Sequence, residues 1–352
     1  MSGYVRVYKT GSSEICSGPM KTTKTCIASF LASASVAIQE LAIRSSVERG
    51  DIDEESGLER CCDAHVMLAM GLSSLSVGKS LAVVRSVAES AASSIETRTF
   101  DFLYGPLVQN LLSKNPGGLM FRTGKTEELF NAYSYLQTNS KVPMLLAANL
   151  EAGGDGIVLE GTAFGKQMQV AATDDPKQAY RLSKGSCSEG QAVGCNYAFA
   201  PVVDIDFNYH SPITNVRTYG SDPEKVKKFG LEYMRGAKEC GSAVAIKHFP
   251  GDGVDEVDQH ILTSVNSLSC EEWDKTYGDV YKTLIDEGAL SVMVGHIALP
   301  SYQKKFNPNL PKKLMPASLS PELLQNLLRD QLGFNGMIIT DATPMVGFLC
   351  AM

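Results

Sequence analysis

The stretch KHFPGDGVDEVDQH, Lys247 to His260, crowds a lysine, two histidines, three aspartates and a glutamate into a segment that follows the apolar run Ala243 to Ile246. Within it, Asp258-Gln259-His260 sets a carboxylate two residues from an imidazole. The carboxylate can hold one ring nitrogen, fix the tautomer, and leave the other nitrogen to donate and then accept a proton. Gly251 and Gly253 let the segment bend. Asp341 ends the run Met337 to Thr340, where an ionised carboxylate is affordable only if it faces an open mouth rather than the core. From position alone it reads equally as a nucleophile toward a sugar carbon, a helix N-cap or a salt-bridge partner. A nucleophilic carboxylate and a proton donor are the two groups that hydrolysis of a glycosidic bond requires.

Other polar residues fall just after apolar runs: Asn149 with Glu151, Asp204 with Asp206, Lys247 with His248, and His296. Lys247 and His248 are expected to alternate sides if the strand continues through them, and either suits a sugar hydroxyl. Arg217 precedes a helix start at Ser221-Asp222-Pro223 and fits a clamp on a substrate oxygen or a salt bridge to the acidic loops. Together these groups make a polar, mostly acidic pocket with a few cations, which suits a neutral, hydroxyl-rich substrate. A phosphorylated one would call for a Gly-rich helix start or more arginine.

The elements that must position these residues follow a regular grammar beyond Phe100. Apolar runs at Gly118–Phe121, Val142–Leu150, Tyr197–Val203, Ala243–Ile246, Leu290–Val294 and Met337–Thr340 alternate with helical stretches at Glu127–Leu136, Lys177–Val193, Asp222–Cys240, Glu271–Glu287 and Pro321–Leu332. This alternation predicts a parallel sheet with crossover helices. The last helix reads as capped by Ser320, with Pro321 at its first position and Gly333 past its end. With the unusual residues collected after each strand and no GxGxxG turn, an α/β fold of the (β/α)8 TIM-barrel type is expected rather than a doubly wound sheet.

Composition narrows the partners. A net charge of −7 without a dense basic run argues against nucleic acid, and no apolar run approaches the roughly 20 residues of a membrane span. Nine cysteines, an odd count without CxxC spacing, suggest reduced thiols in a cytoplasm and neither a zinc site nor a disulfide framework. No cofactor is called for. Residues 1–100 read as a separate helical segment, in which Cys61, Cys62 and His65 are expected to pack on a helix and not to bind metal. Met20 to Ala37 would resemble a secretory leader if translation began at Met20; an amphipathic helix explains it as well.

The motifs KHFPGDGVDEVDQH, APVVDIDFNYHSPITNVRTYG, SVMVGHIALP, LSPELLQNLLRDQLGF and GMIITDATPM, in that set, resemble the N-terminal barrel domain of glycoside hydrolase family 3, over about Phe102 to Met352. The branch they look most like contains bacterial β-N-acetylglucosaminidases. The resemblance implies a retaining hydrolase with Asp341 as nucleophile, His260 with Asp258 as acid/base, and Lys247, His248 and Arg217 as sugar binders; Asn149, Asp204 and His296 complete the expected substrate site. A β-glucosidase or β-xylosidase of the same family and a non-catalytic sugar-binding protein are the alternatives. Three departures stand out. Asp252 replaces a His in the usual PGHGDT loop, and Asn149 replaces a sugar-binding Asp. The chain also stops soon after Asp341, so a barrel lacking its last β/α unit is expected to need a homo-oligomer or a partner chain to complete it.

Overall fold

The computed structural model describes residues 105–310 and 315–351, in two compact units, 105–147 and 148–351. The helical segment expected over 1–100, the Cys61-Cys62-His65 group and the Met20 stretch lie outside the described residues. In the first unit, helix α1 (Gly105–Ser113) leads to strand β1 (Gly118–Met120), helix α2 (Thr126–Asn139) and strand β2 (Leu145–Ala148). β1 pairs in parallel with β2, Leu119 opposite Leu146. Phe121 meets Tyr133 of α2 edge to face at 4.4 Å between ring centroids, which seals the helix onto the strands.

The second unit carries the site. Its main strands are β3 (Tyr197–Ala198), β4 (Ala243–Phe249), β6 (Ser291–Val294) and β8 (Met337–Thr340). They are parallel and neighbour one another in chain order, β3-β4-β6-β8. An order that never reverses belongs to a barrel-type winding, whereas a doubly wound sheet has a switch point. The strand interiors are Val, Ile, Ala and Met buried on both faces, as parallel strands require. Helices α3 (Gln167–Ala171), α4 (Lys177–Ala192) and α5 (Pro223–Glu239) lie between β2 and β4; a short pair, β5 (Ser264–Val265) with β7 (Ile297–Ala298), sits beside the main sheet.

Most elements fall where the hydrophobic pattern puts them, and the differences have local causes. β3 stops at Ala198 although the apolar run continues to Val203, because Pro201 has no N–H for the ladder. Pairing resumes beyond it, with the Val203 amide donating to Lys247 at 2.8 Å. β4 runs three residues past its apolar run because Lys247 and His248 find polar partners inside. Between Lys247 and Phe249 the register with β6 shifts, leaving His248 as the extra residue of a bulge. Helix α5 starts as expected, with the Asp222 carboxylate accepting from the Glu224 amide at 3.0 Å and Pro223 at its first position. Ser320 does not cap the last long helix (Glu322–Gln331, with π-type bonding); its hydroxyl donates to Glu322 at 2.8 Å instead. Gly333 past that helix is left-handed at φ 73°, as its position suggested.

Helix α6 (Cys270–Trp273) opens on a reciprocal cap between Ser269 and Glu272 and continues through a π turn (Asp274–Gly278) into α7 (Asp279–Asp286). It supports the loop after β4 from below. The Trp273 indole donates to the Pro250 carbonyl at 2.8 Å, and Phe249 is wedged edge-on against Trp273 and Tyr281. Buried aromatic pairs of this geometry add about 0.5–1.5 kcal/mol each beyond the area they cover. The loop after β4 therefore rests on an aromatic floor.

Candidate active site

Three charged side chains gather where the loop after β2 meets the end of β4. Arg217 grips Glu151 with two parallel hydrogen bonds, Nε to Oε2 at 3.0 Å and Nη2 to Oε1 at 2.9 Å. Lys247 Nζ lies 2.7 Å from the same Oε1 and donates to Asn149 Oδ1 at 3.3 Å. Burial opposes the ionised form of Glu151, yet Arg217 and Lys247 together hold it well below the usual carboxylate range. Burial lowers the Lys247 ammonium from its ordinary value, and Glu151 offsets part of that loss. Glu151 thus accepts from two cations at once, and one of them, Lys247, also reaches the Asn149 amide oxygen.

Because a buried charge stripped of its partner is costly, Glu151→Gln is expected to lose about 3–5 kcal/mol of unfolding free energy at neutral pH. The depressed folded value of Glu151 means that its contribution is present above the unfolded value and is lost as pH falls through the folded one. The gap between wild type and variant, read from denaturant midpoints, should therefore shrink as the solution becomes strongly acidic. A gap that widened with acid would contradict the ion cluster.

Behind this cluster, Lys247 and His248 both turn toward Asp341 instead of to opposite faces, contrary to the expected alternation, at the point where the register of β4 with β6 shifts. His248 Nδ1 lies 2.7 Å from Asp204 Oδ2, and its Nε2 faces Asp341 Oδ2 at 3.8 Å. Asp204 is completely buried, and its other oxygen accepts from the amides of His248 at 3.1 Å and Asp252 at 2.8 Å. With Nδ1–H given to Asp204, the His248 ring is fixed in orientation. Asp341 stands at the end of β8, its Oδ1 accepting from the Ala342 amide at 2.7 Å. Burial opposes its ionisation, but His248, His296, the Ala342 amide and Lys247 outweigh that and hold its carboxyl below the ordinary range. It is poised as an anion.

His260 and Asp258 form the pair expected of them. His260 Nδ1 is 2.6 Å from Asp258 Oδ1, which also accepts from the His260 amide at 2.8 Å. Burial would raise the Asp258 carboxyl, but these bonds from His260 lower it below its usual value. An anionic partner on Nδ1 leaves Nε2 as the free face of the ring. The loop is pinned to the segment after β8: the Val346 amide donates to the His260 carbonyl at 3.0 Å and the Thr263 hydroxyl to the Gly347 carbonyl at 2.7 Å. Any Cβ at Gly347 would lie 2.3 Å from the Gln259 carbonyl, so this close approach needs glycine.

Exposure separates two layers. Glu151, Arg217, Asp341, His260 and Asp258 keep 14% to 22% of their side-chain surface, and Lys247 and His248 behind them keep 3% and 4%. Asp204 and His296 keep none. His296 has both ring nitrogens occupied, Nδ1 by Ser318 Oγ at 2.8 Å and Nε2 by the Ala342 carbonyl at 3.0 Å, and packs against Phe348. All nine candidate residues, Asn149, Asp204, Arg217, Lys247, His248, Asp258, His260, His296 and Asp341, thus belong to one unit, most of them joined by direct bonds. In the sequence Glu151 stands out only beside Asn149, after the same apolar run. Its period-2 spacing past the end of β2 was the signal that it shares a side with Asn149. Gln259 carries no such signal, and Asp252 stands out in the sequence only as a departure from the family's usual loop. Asp252 is buried and pushed up to about 8 by burial and by Asp204, and it accepts from Gly253 at 2.9 Å and Gln259 at 3.1 Å. Among the described residues no helix is long and apolar enough to cross a membrane, and no group of three or more His, Cys, Asp or Glu is set to hold a metal ion.

Comparison with known proteins agrees with this architecture. A β-N-acetylglucosaminidase/β-glucosidase of Cellulomonas fimi is 45% identical over 232 residues, covering 66% of this chain and 41% of that protein. The β-hexosaminidase A of Pseudoalteromonas piscicida is 30% identical over 222 residues, covering 60% of this chain and 37% of its own. Among solved structures, the β-glucoside phosphorylase BglX matches with a TM-score of 0.67 at 48% identity, over 68% of this chain and 44% of that one. A family 3 β-N-acetylglucosaminidase from Paenibacillus sp. matches with a TM-score of 0.63 at 29% identity, over 68% and 46%. The chain thus spans less than half the length of these relatives. Residues 105–351 match the model of the glycosyl hydrolase family 3 N-terminal domain. With its parallel strands, its TIM-barrel-type winding and its site at the C-terminal strand ends, the chain belongs to glycosyl hydrolase family 3.

Proposed function

We propose that the protein is a retaining exo-glycosidase that releases terminal β-linked N-acetylhexosamine. The observation that carries this reading is the pairing of a partly exposed His260, bonded through Nδ1 to Asp258, with an anionic Asp341 at a barrel strand end. Lys247, His248, Arg217 and Asn149 hold the sugar hydroxyls; Asp204 orients His248, and His296 steadies the backbone at Ala342. Asp341 attacks the anomeric carbon as the glycosidic C–O bond breaks, and His260 Nε2–H gives its proton to the departing oxygen. In the second half, neutral His260 takes a proton from water, the water oxygen bonds to the anomeric carbon, and the Asp341 carboxylate is released. The names of the Cellulomonas, Pseudoalteromonas and Paenibacillus relatives support the N-acetylhexosamine assignment.

A second reading has its own support in the 48% identity to a β-glucoside phosphorylase. There the substrate is a β-glucoside, and phosphate takes the place of water as the acceptor in the second half. One experiment separates the readings: the chain is incubated with an aryl N-acetyl-β-glucosaminide and an aryl β-glucoside, each with and without inorganic phosphate. Faster release from the first, giving the free sugar, is the expected result. Preference for the glucoside overturns the substrate assignment, phosphate-dependent formation of a sugar 1-phosphate favours the second reading, and binding without turnover favours a sugar-binding role.

A further inference from the structure

The loop that carries His260 is inside out. Ile261 and Leu262 are 63% and 52% exposed, while the polar Gln259 between Asp258 and His260 is 1% exposed. Burying an amide while leaving two aliphatic side chains in water runs against their transfer free energies, so the amide must be held by strong local partners. It is. Gln259 Nε2 donates to Asp252 Oδ2 at 3.1 Å, and Gln259 Oε1 accepts from the His296 amide at 2.8 Å. The His296 N–H can only donate, so the oxygen end of the side chain must face it and the NH2 end must face Asp252.

Both partners lead to the nucleophile. The Asp252 amide donates to Asp204, which holds His248, whose Nε2 faces Asp341. His296 holds the Ala342 carbonyl with its ring, and the Ala342 amide donates to Asp341. The loop is also tied by His260 and Thr263 to Val346 and Gly347, and by Gly253 and Val254 to Asn208.

We propose that Gln259 is a positioning residue, a side-chain strut that sets the His260–Asp258 pair at a fixed offset from Asp341 by bridging Asp252 and the backbone of β6's following turn at His296. The Asp252 that departs from the family's usual loop is then the partner that makes a glutamine useful here: its acceptor oxygen complements the amide's NH2. This inference rests on the acid/base reading of His260.

The test compares wild type with Gln259→Met, which keeps the volume but neither bond, with Gln259→Asn, which keeps the amide but is one methylene short, and with His260→Ala. Each is assayed as the full chain on aryl glycosides whose leaving groups span activated to poor. Proton donation matters most for the poor leaving groups. Both Gln259 variants should therefore lose about tenfold or more in kcat/KM on the poorest leaving group, short of the ~10² to 10⁴ set by loss of the donor itself, and little on the most activated. The ratio between substrates does not depend on how much of a variant is folded, so partial unfolding does not mask the result. If His260→Ala shows the graded loss and the Gln259 variants lose equally on all leaving groups, or not at all, the strut is wrong. If His260→Ala itself shows no gradation, the acid/base reading fails and takes the strut with it.

Discussion

Asp341→Ala is expected to reduce release from every aryl glycoside by on the order of 10⁴-fold or more, whatever the leaving group, the scale of loss seen when a covalent nucleophile is removed. The carboxylate is held below its ordinary value by two histidines, an amide and a lysine in spite of burial, so it is an anion throughout the physiological range. Nothing else at the end of β8 can replace it: the neighbouring Thr340 and Ala342 offer no carboxylate, and Asp204 is sealed under His248. Steady-state release, with intact-mass analysis for a glycosyl adduct on the wild type that the variant lacks, checks the prediction. A loss of less than tenfold would assign Asp341 to the salt-bridge role that its position also allowed.

The second large effect concerns His260. Its alanine variant should lose ~10² to 10⁴ on a poor leaving group and far less in the first step on a highly activated one, because only the poor leaving group needs a proton as it departs. The cause is geometric. Asp258 occupies Nδ1, so the ring presents Nε2 and no other nitrogen to the substrate. Asp258→Asn keeps the spacing but removes the charge that fixes the tautomer, and should show the same gradation at smaller size. Equal losses across leaving groups would mean that His260 only shapes the site.

The candidates for these two proposed roles were legible in the sequence, His260 through short-range facts and Asp341 through a motif that resembles the family's. Asp258 and His260 are two residues apart, near enough for a carboxylate and an imidazole to meet whatever the fold does. Asp341 ends a run of Met, Ile, Ile and Thr, where an acid in the core would be too costly. The alternation of runs and helices likewise reported the parallel winding, since burial on both faces leaves its mark on composition. The boundaries that slipped did so where tertiary partners override local pattern. β4 extends through Lys247 and His248 because Glu151, Asn149 and Asp204 satisfy them, and Ser320 leaves its capping role because its hydroxyl oxygen accepts from Gln303 while its proton goes to Glu322.

The sequence by itself thus determined the type of fold, which rests on periodicity, and set Asp258 beside His260 as neighbours along the chain; the role proposed for Asp341 rests on the resemblance of its motif to the family and not on position alone. Only the tertiary structure decided which of these side chains keep accessible surface and which are sealed behind them. Glu151 and Arg217 lie 66 positions apart and Asp204 and His248 lie 44 apart, so no local pattern could pair them. Where the register of β4 with β6 shifts, two successive side chains turn toward Asp341 against the alternation of an ordinary strand. Gln259, a mere spacer in the chain, became a bridge because Asp252 and His296 come to it from different strand ends, a convergence set by packing and not by spacing.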